Sequence, residues 1–267
     1  MSAVVNDAVQ VSREGAIATV RLNRPARMNS MTSGLLDGLL TALEDIAADS
    51  DVRVVLLTGN GKAFCAGGDL SAGLDEINGA PPLTSQHRRL RTFVRASQLL
   101  HTMPQVTIAA INGACAGAGL SLALACDLRY AADAARFSTA FLGAGVSGDF
   151  GGIWFATRTL GAQLTRSLFL LSERFDAAEA QRVGLVTGTF PGAELLPEVR
   201  SVAEGLAARA PLALSAMKQN LLDAESMDLA AYLEVESGRQ AFTVATADAA
   251  EAAASFIERR TPRFEGK

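Results

Sequence analysis

The chain is poor in the residues that announce most chemistries. It has two histidines, three cysteines, one tryptophan and two tyrosines in 267 residues. Cys65, Cys115 and Cys126 are odd in number and lack metal-ligand spacing, so neither a disulfide framework nor a thiolate metal site is expected. No cluster of histidines and carboxylates suggests a metal. No apolar run reaches the roughly 18 residues a membrane helix needs, because the stretch from Val106 to Cys126 is interrupted by Asn112 and several glycines. The N-terminus has no charged-then-apolar leader pattern, which makes a cytoplasmic location the expectation. Lys and Arg number 24 against 28 acidic residues, a net charge of −4, so a nucleic-acid partner has no electrostatic support. Two glycine motifs also fail. Gly59-Asn60-Gly61-Lys62 lacks the spacing and the following hydroxyl of a phosphate loop, and Gly117-Ala118-Gly119 has Leu122 where a dinucleotide fingerprint needs its third glycine.

What the chain does have is apolar residue in quantity: 49% is hydrophobic and 19% charged, enough for a large core. Strands are expected at Ile17 to Leu22, Val52 to Thr58, Val106 to Ile111 and Leu128 to Ala131. Helices are expected at Leu35 to Ala48, Arg88 to His101, Gly119 to Ala125 and Gly152 to Leu160, with Thr32 or Ser33 capping the first. This alternation argues for an α/β layered core. After Pro191 the pattern becomes alanine-rich helix without strands, over Val199 to Arg209, Pro211 to Asp223 and Leu229 to Arg259. The expected division is therefore a core over residues 1–195 and a helical region over 196–267. The polar segment Ser71 to Ser85 carries Pro81 and Pro82 and is long for a plain connection, which favours a lid or binding loop.

Two loops stand out, Phe64-Cys65-Ala66-Gly67-Gly68-Asp69-Leu70 and Asn112-Gly113-Ala114-Cys115-Ala116-Gly117-Ala118-Gly119. Each follows a β-branched run and presents nearly bare backbone. Two such loops at the ends of neighbouring strands can aim two N–H groups at one ligand oxygen, and the second opens an apolar helix whose dipole adds positive potential. Taken singly, either set of glycines is equally well explained by close strand-to-helix packing.

Together with Asn23-Arg24-Pro25-Ala26-Arg27-Met28-Asn29-Ser30, these segments resemble the crotonase (enoyl-CoA hydratase/isomerase) superfamily in order and spacing, clearly from Val9 to Phe190. The resemblance implies a spiral of repeated ββα units, with C-terminal helices that build a homotrimer, often paired into a hexamer. It implies an acyl-CoA thioester as substrate, with coenzyme A entering as part of that substrate and no other cofactor. It places the oxyanion donors at the N–H groups of Gly68 and Ala118.

The family's hydratases carry two glutamates where this chain has Ser121 and Phe141. Phenylalanine transfers no proton, and an unassisted serine is a poor base. Asp149, in Ser147-Gly148-Asp149-Phe150-Gly151-Gly152, resembles the acidic residue of the superfamily's isomerases. One carboxylate can move a proton between C2 and C4, so isomerisation is expected, with Ser121, Phe141, Trp154 and, from the end of the lid, His87 around the acyl group. Asp149 is also well placed to cap the helix that follows, in which case backbone donors would lower its pKa. Hydration would need Asp149 alone to position water, or a further acid from the lid such as Asp75 or Glu76. An aspartate-dependent hydrolase or dehalogenase gains ground if His87 faces Asp149, and an acyl-CoA binding protein without catalysis is the remaining alternative.

For the CoA portion the resemblance points to Arg24, Arg27, Ala66, Phe264 and Lys267. Solvated arginines and a frayed terminus are the competing readings. Arg88, Arg91 and Arg95 read as a solvated helical face, Asp69 as a helix cap, and His101 as a helix-terminal positive charge. Cys65 and Cys115 lie beside the loops and read as inert buried thiols.

Overall fold

The structure is a computed structural model that describes residues 2–69 and 82–267. Eleven strands form two sheets among the described residues. The larger runs β1(Ser2–Asn6)-β2(Val9–Glu14)-β3(Ile17–Leu22)-β4(Val54–Gly59)-β6(Val106–Ile111)-β8(Leu128–Ala132)-β11(Gly188–Phe190). The smaller runs β10(Phe175–Asp176)-β9(Arg136–Ser138)-β7(Ala114–Ala116)-β5(Ala63–Cys65). In the larger sheet β1, β2 and β3 pair antiparallel, and from β3 to β11 every neighbour is parallel.

The chain winds as a spiral. Each turn gives one long strand to the large sheet and then one short strand to the small one, as β4 then β5, β6 then β7, and β8 then β9. Helices close the turns: α2(Leu83–Phe93) and α3(Arg95–Thr102) follow β5, and α4(Ala118–Ala125) follows β7. Every residue of β4 and β6 is buried, as parallel strands covered on both faces must be. One face packs on α1(Ser33–Ala48), α3 and α4 through Leu39, Leu43, Leu100 and Leu122. The other is covered by α8(Leu195–Ala207), whose Leu195, Val199 and Ala203 meet Val54, Leu56 and Ile108. The expected division at 195/196 thus falls within a helix that packs on the sheet.

The expected strands and helices are all present, with differences that have local causes. Thr32 caps α1 by accepting from the Leu35 N–H. The helix expected over Arg88 to His101 begins at Leu83 and breaks at Val94. The one expected over Leu229 to Arg259 is two, α10(Leu229–Val244) and α11(Ala247–Glu258), because Thr246 adopts extended backbone and caps the second by accepting from the Ala249 N–H. Two helices that the sequence reading missed, α6(Ala162–Leu171) and α7(Ala177–Arg182), follow α5(Gly152–Leu160). Residues 71–81 of the expected lid, with Asp75 and Glu76, lie outside the described residues. No helix among the described residues is long and apolar enough to cross a membrane.

The C-terminal segment is tied down rather than frayed. The buried Asp248 carboxylate accepts from the N–H groups of Glu265 (2.7 Å) and Gly266 (2.9 Å), and Arg53 donates to the Phe264 carbonyl at 3.1 Å.

Candidate active site

The two small-residue loops meet because β5 and β7 are parallel neighbours, pairing Ala63 with Ala114 and Cys65 with Cys115. Loops leaving the carboxyl ends of adjacent parallel strands emerge on the same side, where such sheets bind ligands. Gly67 lies in the left-handed region at φ 93°, and a Cβ there would stand 3.0 Å from the Ala116 carbonyl oxygen and 3.7 Å from the Ala118 nitrogen. A Cβ on Gly119 would collide with the Cys65 carbonyl oxygen at 2.3 Å. The glycines therefore serve packing and site construction at once.

The hydrogen bonds of the first loop leave one donor over. Ala66 N–H donates to the Met28 carbonyl (3.0 Å) and Asp69 N–H donates to the Met31 carbonyl (3.0 Å), while the Gly67 N–H acts on the Cys65 thiol, opposing the rise that burial gives its pKa. Met31 N–H donates to the Gly67 carbonyl at 2.8 Å. Gly68 N–H has no partner among the described residues. In the second loop Gly117 N–H donates to the Ser138 carbonyl, while Ala118, the first residue of α4, has no partner for its N–H among the described residues. Both donors that the resemblance assigns are thus unspent, and the Ala118 donor sits at a helix N-terminus.

Asp149 precedes α5, but it does not cap it. The residue at the cap position is Gly151, in left-handed backbone, and no side chain bonds the first turn. The Asp149 Oδ1 is buried without a hydrogen-bond partner, and burial raises the carboxyl to about 6. The cap reading, which would lower the pKa, is overturned on both counts. Asp149 lines an open groove of about 500 Å³ with Gly152, Ile153, Trp154, Thr157 and Arg158. It also lies close enough to the first loop for its charge to act on Cys65, whose thiol burial pushes up to about 12.

Phe141 connects the two halves of the site. Its ring lies 3.8 Å from where a Cβ on Gly117 would stand and 3.6 Å from one on Gly148, the residues immediately before Ala118 and Asp149. Ser121 is buried under the start of α5, where a Cβ on Gly152 would stand 2.3 Å from its hydroxyl oxygen. That hydroxyl faces the Gly117 carbonyl at 3.4 Å. Trp154 is half exposed, with the Arg158 guanidinium 3.5 Å over its ring and His101 at its edge.

The other expected residues are placed as follows. His87 is exposed on α2. His101 is half buried between Trp154 and Phe155, and burial lowers its pKa, so the expected helix-terminal positive charge is not what its surroundings favour. Arg95 pairs with Glu44 at 2.6 Å, whereas Arg88 and Arg91 are exposed. Arg24 turns into the fold and meets Asp69 at 3.0 Å, a contact the sequence reading missed because the two stand 45 positions apart. The helix that Asp69 was expected to cap lies outside the described residues. Arg27 is exposed, Ala66 is partly exposed beside Gly67, and Lys267 is exposed and paired with Glu265. No group of histidine, cysteine and carboxylate side chains among the described residues could hold a metal.

Residues 12–267 match the family model for enoyl-CoA hydratase/isomerase. Similar proteins include the 2,3-dehydroadipyl-CoA hydratase of Escherichia coli, 36% identical over 96% of this chain and 98% of that one. The 1,2-epoxyphenylacetyl-CoA isomerase of the same organism is 34% identical over 95% and 97%. The enoyl-CoA hydratase structure from Bacillus anthracis superposes with a TM-score of 0.91 at 30% identity, covering 97% of this chain and 100% of that one. Spiral fold, paired loops and sequence match together make this chain a member of the enoyl-CoA hydratase/isomerase family, the crotonase superfamily, and an acyl-CoA enzyme.

Proposed function

We propose that this enzyme moves the double bond of an enoyl-CoA, with Asp149 as its single acid and base. The observation that carries the reading is the Asp149 carboxylate, its Oδ1 buried without a hydrogen-bond partner and its pKa raised to about 6 by burial, in a site where Ser121 and Phe141 stand at the family's two glutamate positions. A carboxylate with that pKa is ionised near neutrality and basic enough to accept a proton. It takes a proton from C2 of a 3-enoyl thioester. The electron pair spreads through the dienolate onto the thioester oxygen, which the Gly68 and Ala118 N–H groups hold. The same carboxyl returns the proton to C4. No water is consumed and no second acid is needed.

Hydration is the second reading, and the names of the relatives favour it, since the 36% identical Escherichia coli protein is a hydratase. It requires Asp149 alone to position the water, or a second proton-transfer group beside it, which neither Ser121 nor Phe141 supplies and for which Asp75 and Glu76 lie outside the described residues. Purified enzyme offered 3-enoyl-CoA and, separately, 2-enoyl-CoA separates the two. Isomer formation without gain of water is expected; a 3-hydroxyacyl product from the 2-enoyl substrate overturns the isomerase reading.

The same proposal includes assembly into a trimer or a pair of trimers. It is supported by the apolar side chains that α9(Pro211–Ala224), α10 and α11 leave uncovered in the single chain, Leu221, Phe242, Phe256 and Ile257 among them. Large apolar side chains exposed on several successive helices are a mark of an interface. Sedimentation at several concentrations tests it, and a monomer at micromolar concentration contradicts it.

A further inference from the structure

We infer that Phe150 is a positioning residue for Asp149, its buried ring holding a left-handed turn that keeps the neighbouring carboxylate off the start of α5. The inference rests on the reading of Asp149 as the base. The chain enters α5 through a turn closed by the Gly152 N–H, which donates to the Asp149 main-chain carbonyl at 3.2 Å. Both central residues have positive φ, 49° at Phe150 and 74° at Gly151. Turns of this kind are dominated by Gly, Asn and Asp, because a Cβ at positive φ crowds the backbone. Gly151 meets that demand, and a Cβ there would also strike the Phe155 ring at 2.9 Å. Phe150 does not meet it. A bulky residue in that region is strained and persists only where its surroundings enforce it.

What enforces it here is the side chain. Phe150 is 2% exposed and belongs to the buried cluster that includes Leu122, Phe155 and Ala156. Burial of the ring offsets the strain of its own backbone. The turn commits the carbonyl of Asp149, not its carboxylate, to the start of α5, and the cap position falls to Gly151, which has no side chain to bond. Asp149 Oδ1 is left buried and without a hydrogen-bond partner, in a residue that lines the groove. With negative φ at residue 150 the chain would enter the helix along another path, and the carboxylate would be free to accept backbone N–H groups there, as an aspartate before a helix ordinarily does. Phe150 acts through its neighbour and is assigned to positioning.

Replacements that pack alike but differ in their tolerance of positive φ separate this role from core packing. Leu and Ile have the same atoms, yet the β-branched one is the worse at positive φ, and Gly and Ala differ in the same sense. Full-length Phe150→Leu, Phe150→Ile, Phe150→Gly and Phe150→Ala are compared by turnover of 3-enoyl-CoA across pH. Phe150→Leu is expected to keep kcat within about threefold of wild type. Phe150→Ile is expected to lose roughly 100-fold in kcat, the scale of a displaced catalytic group, with KM changed less than about threefold. Its acid limb moves about one pH unit below that of wild type, as backbone donors reach the carboxylate. Phe150→Gly exceeds Phe150→Ala by about tenfold in kcat, although it fills less of the core. A packing role alone predicts equal loss for Leu and Ile and the opposite order for Gly and Ala; those results, with the limb unmoved, overturn the inference. If the Gly and Ala variants do not fold, the Leu and Ile pair, which keeps the core volume, decides alone.

The groups around Asp149 decide whose limb is read. Cys65 of β5 feels its charge, but burial pushes that thiol up to about 12. Arg158 of α5 lines the same groove and lies over Trp154, and His101 of α3, its pKa lowered by burial, lies against Trp154 and Phe155. Of these side chains the imidazole is the one that titrates in this range, so His101→Gln is expected to retain the limb. A wild type with no limb near pH 6, or one whose limb His101→Gln abolishes, overturns the base reading and the inference with it. A wild-type limb near pH 6 that Phe150→Ile leaves in place, with kcat equal to that of Phe150→Leu, overturns the inference alone.

Discussion

Gly67 and Ala118 meet backbone to backbone: a Cβ built on Gly67 would stand 3.7 Å from the Ala118 nitrogen and 3.0 Å from the carbonyl oxygen of Ala116. Two loops separated by some fifty positions converge there because β5 and β7 are parallel neighbours. Gly67 has no side chain and the approach to Ala118 is to its nitrogen, so the proposed oxyanion hole is one of backbone alone.

Substitutions at Gly67 and Gly68 therefore separate space from donor. Gly67→Ala forces a Cβ against the second loop at positive φ, which is expected to lower stability by about 1–3 kcal/mol as well as activity. A Cβ on Gly68 meets nothing within 4 Å, so Gly68→Ala keeps fold and N–H and is expected to retain most activity. Gly68→Pro removes the N–H and is expected to lose about 10²–10³-fold in kcat. Urea unfolding with steady-state kinetics checks all three.

The pH profile reports Asp149. Its carboxyl is raised to about 6 by burial, and in the proposed mechanism the ionised form is the working base. Activity on 3-enoyl-CoA is therefore expected to rise about tenfold per pH unit below 6 and to level off above it. Asp149→Asn is expected to lose about 10²–10⁴-fold. A profile flat down to pH 4 contradicts the assignment.

The same burial makes Asp149 a destabilising group at working pH. Its pKa is about 6 folded against 3.8 as the reference, so the folded state binds the proton more tightly and stability falls as pH rises from 4 to 6. Above 6 the full penalty, up to about 3 kcal/mol for roughly two pKa units, is present, and below 4 it is absent. Asp149→Asn is accordingly expected to unfold at higher urea than wild type at pH 8, with the difference shrinking toward pH 4. Urea melts at the two pH values measure it.

Ser121 is under α5 with its hydroxyl turned to its own helix. Ser121→Ala is expected to change kcat by less than about threefold, since the proposed shuttle passes no proton through the hydroxyl. Phe141 is packed with Phe169 at a ring separation of 6.3 Å. Phe141→Ala is expected to lower stability by about 3–5 kcal/mol and to impair activity by loosening Gly117 and Gly148 together. Denaturant melts and kinetics on both variants provide the contrast.

Asp248 holds the C-terminal segment through two backbone N–H groups. Asp248→Ala leaves both without that acceptor and is expected to lower stability by about 1–3 kcal/mol. Limited proteolysis within residues 262–267 should appear in the variant first.

Much of this was legible in the residues. The apolar runs Val106 to Ile111 and Ile17 to Leu22 became strands at those same limits, and Gly152 to Leu160 a helix, because local pattern and burial agree there. The short strands β5, β7 and β9 were not legible, since three residues carry no periodicity and form only because a neighbour supplies the ladder. The break at Thr246 lay hidden in an alanine-rich run whose composition favours unbroken helix. In the site, the two loops could be recognised from spacing, but the state of Asp149 could not. Asp before Phe150-Gly151-Gly152 suits a helix cap as well as an acid/base, and only the structure, with Gly151 at the cap position and Asp149 Oδ1 unpartnered, shows that the carboxylate does not cap the helix. The contact of Arg24 with Asp69 was invisible for the reason that ion pairs usually are: charge gives no sign of its partner.

The central claim is that Asp149 alone carries the proton between C2 and C4. Wild type and Asp149→Ala incubated with 3-enoyl-CoA in deuterated water, with products read by mass spectrometry and NMR, test it most directly. The account predicts that wild type yields the 2-enoyl isomer without gain of water, and that Asp149→Ala loses both isomerisation and proton exchange at C2. Full isomerase activity in Asp149→Ala, or a 3-hydroxyacyl product from the wild type, contradicts it.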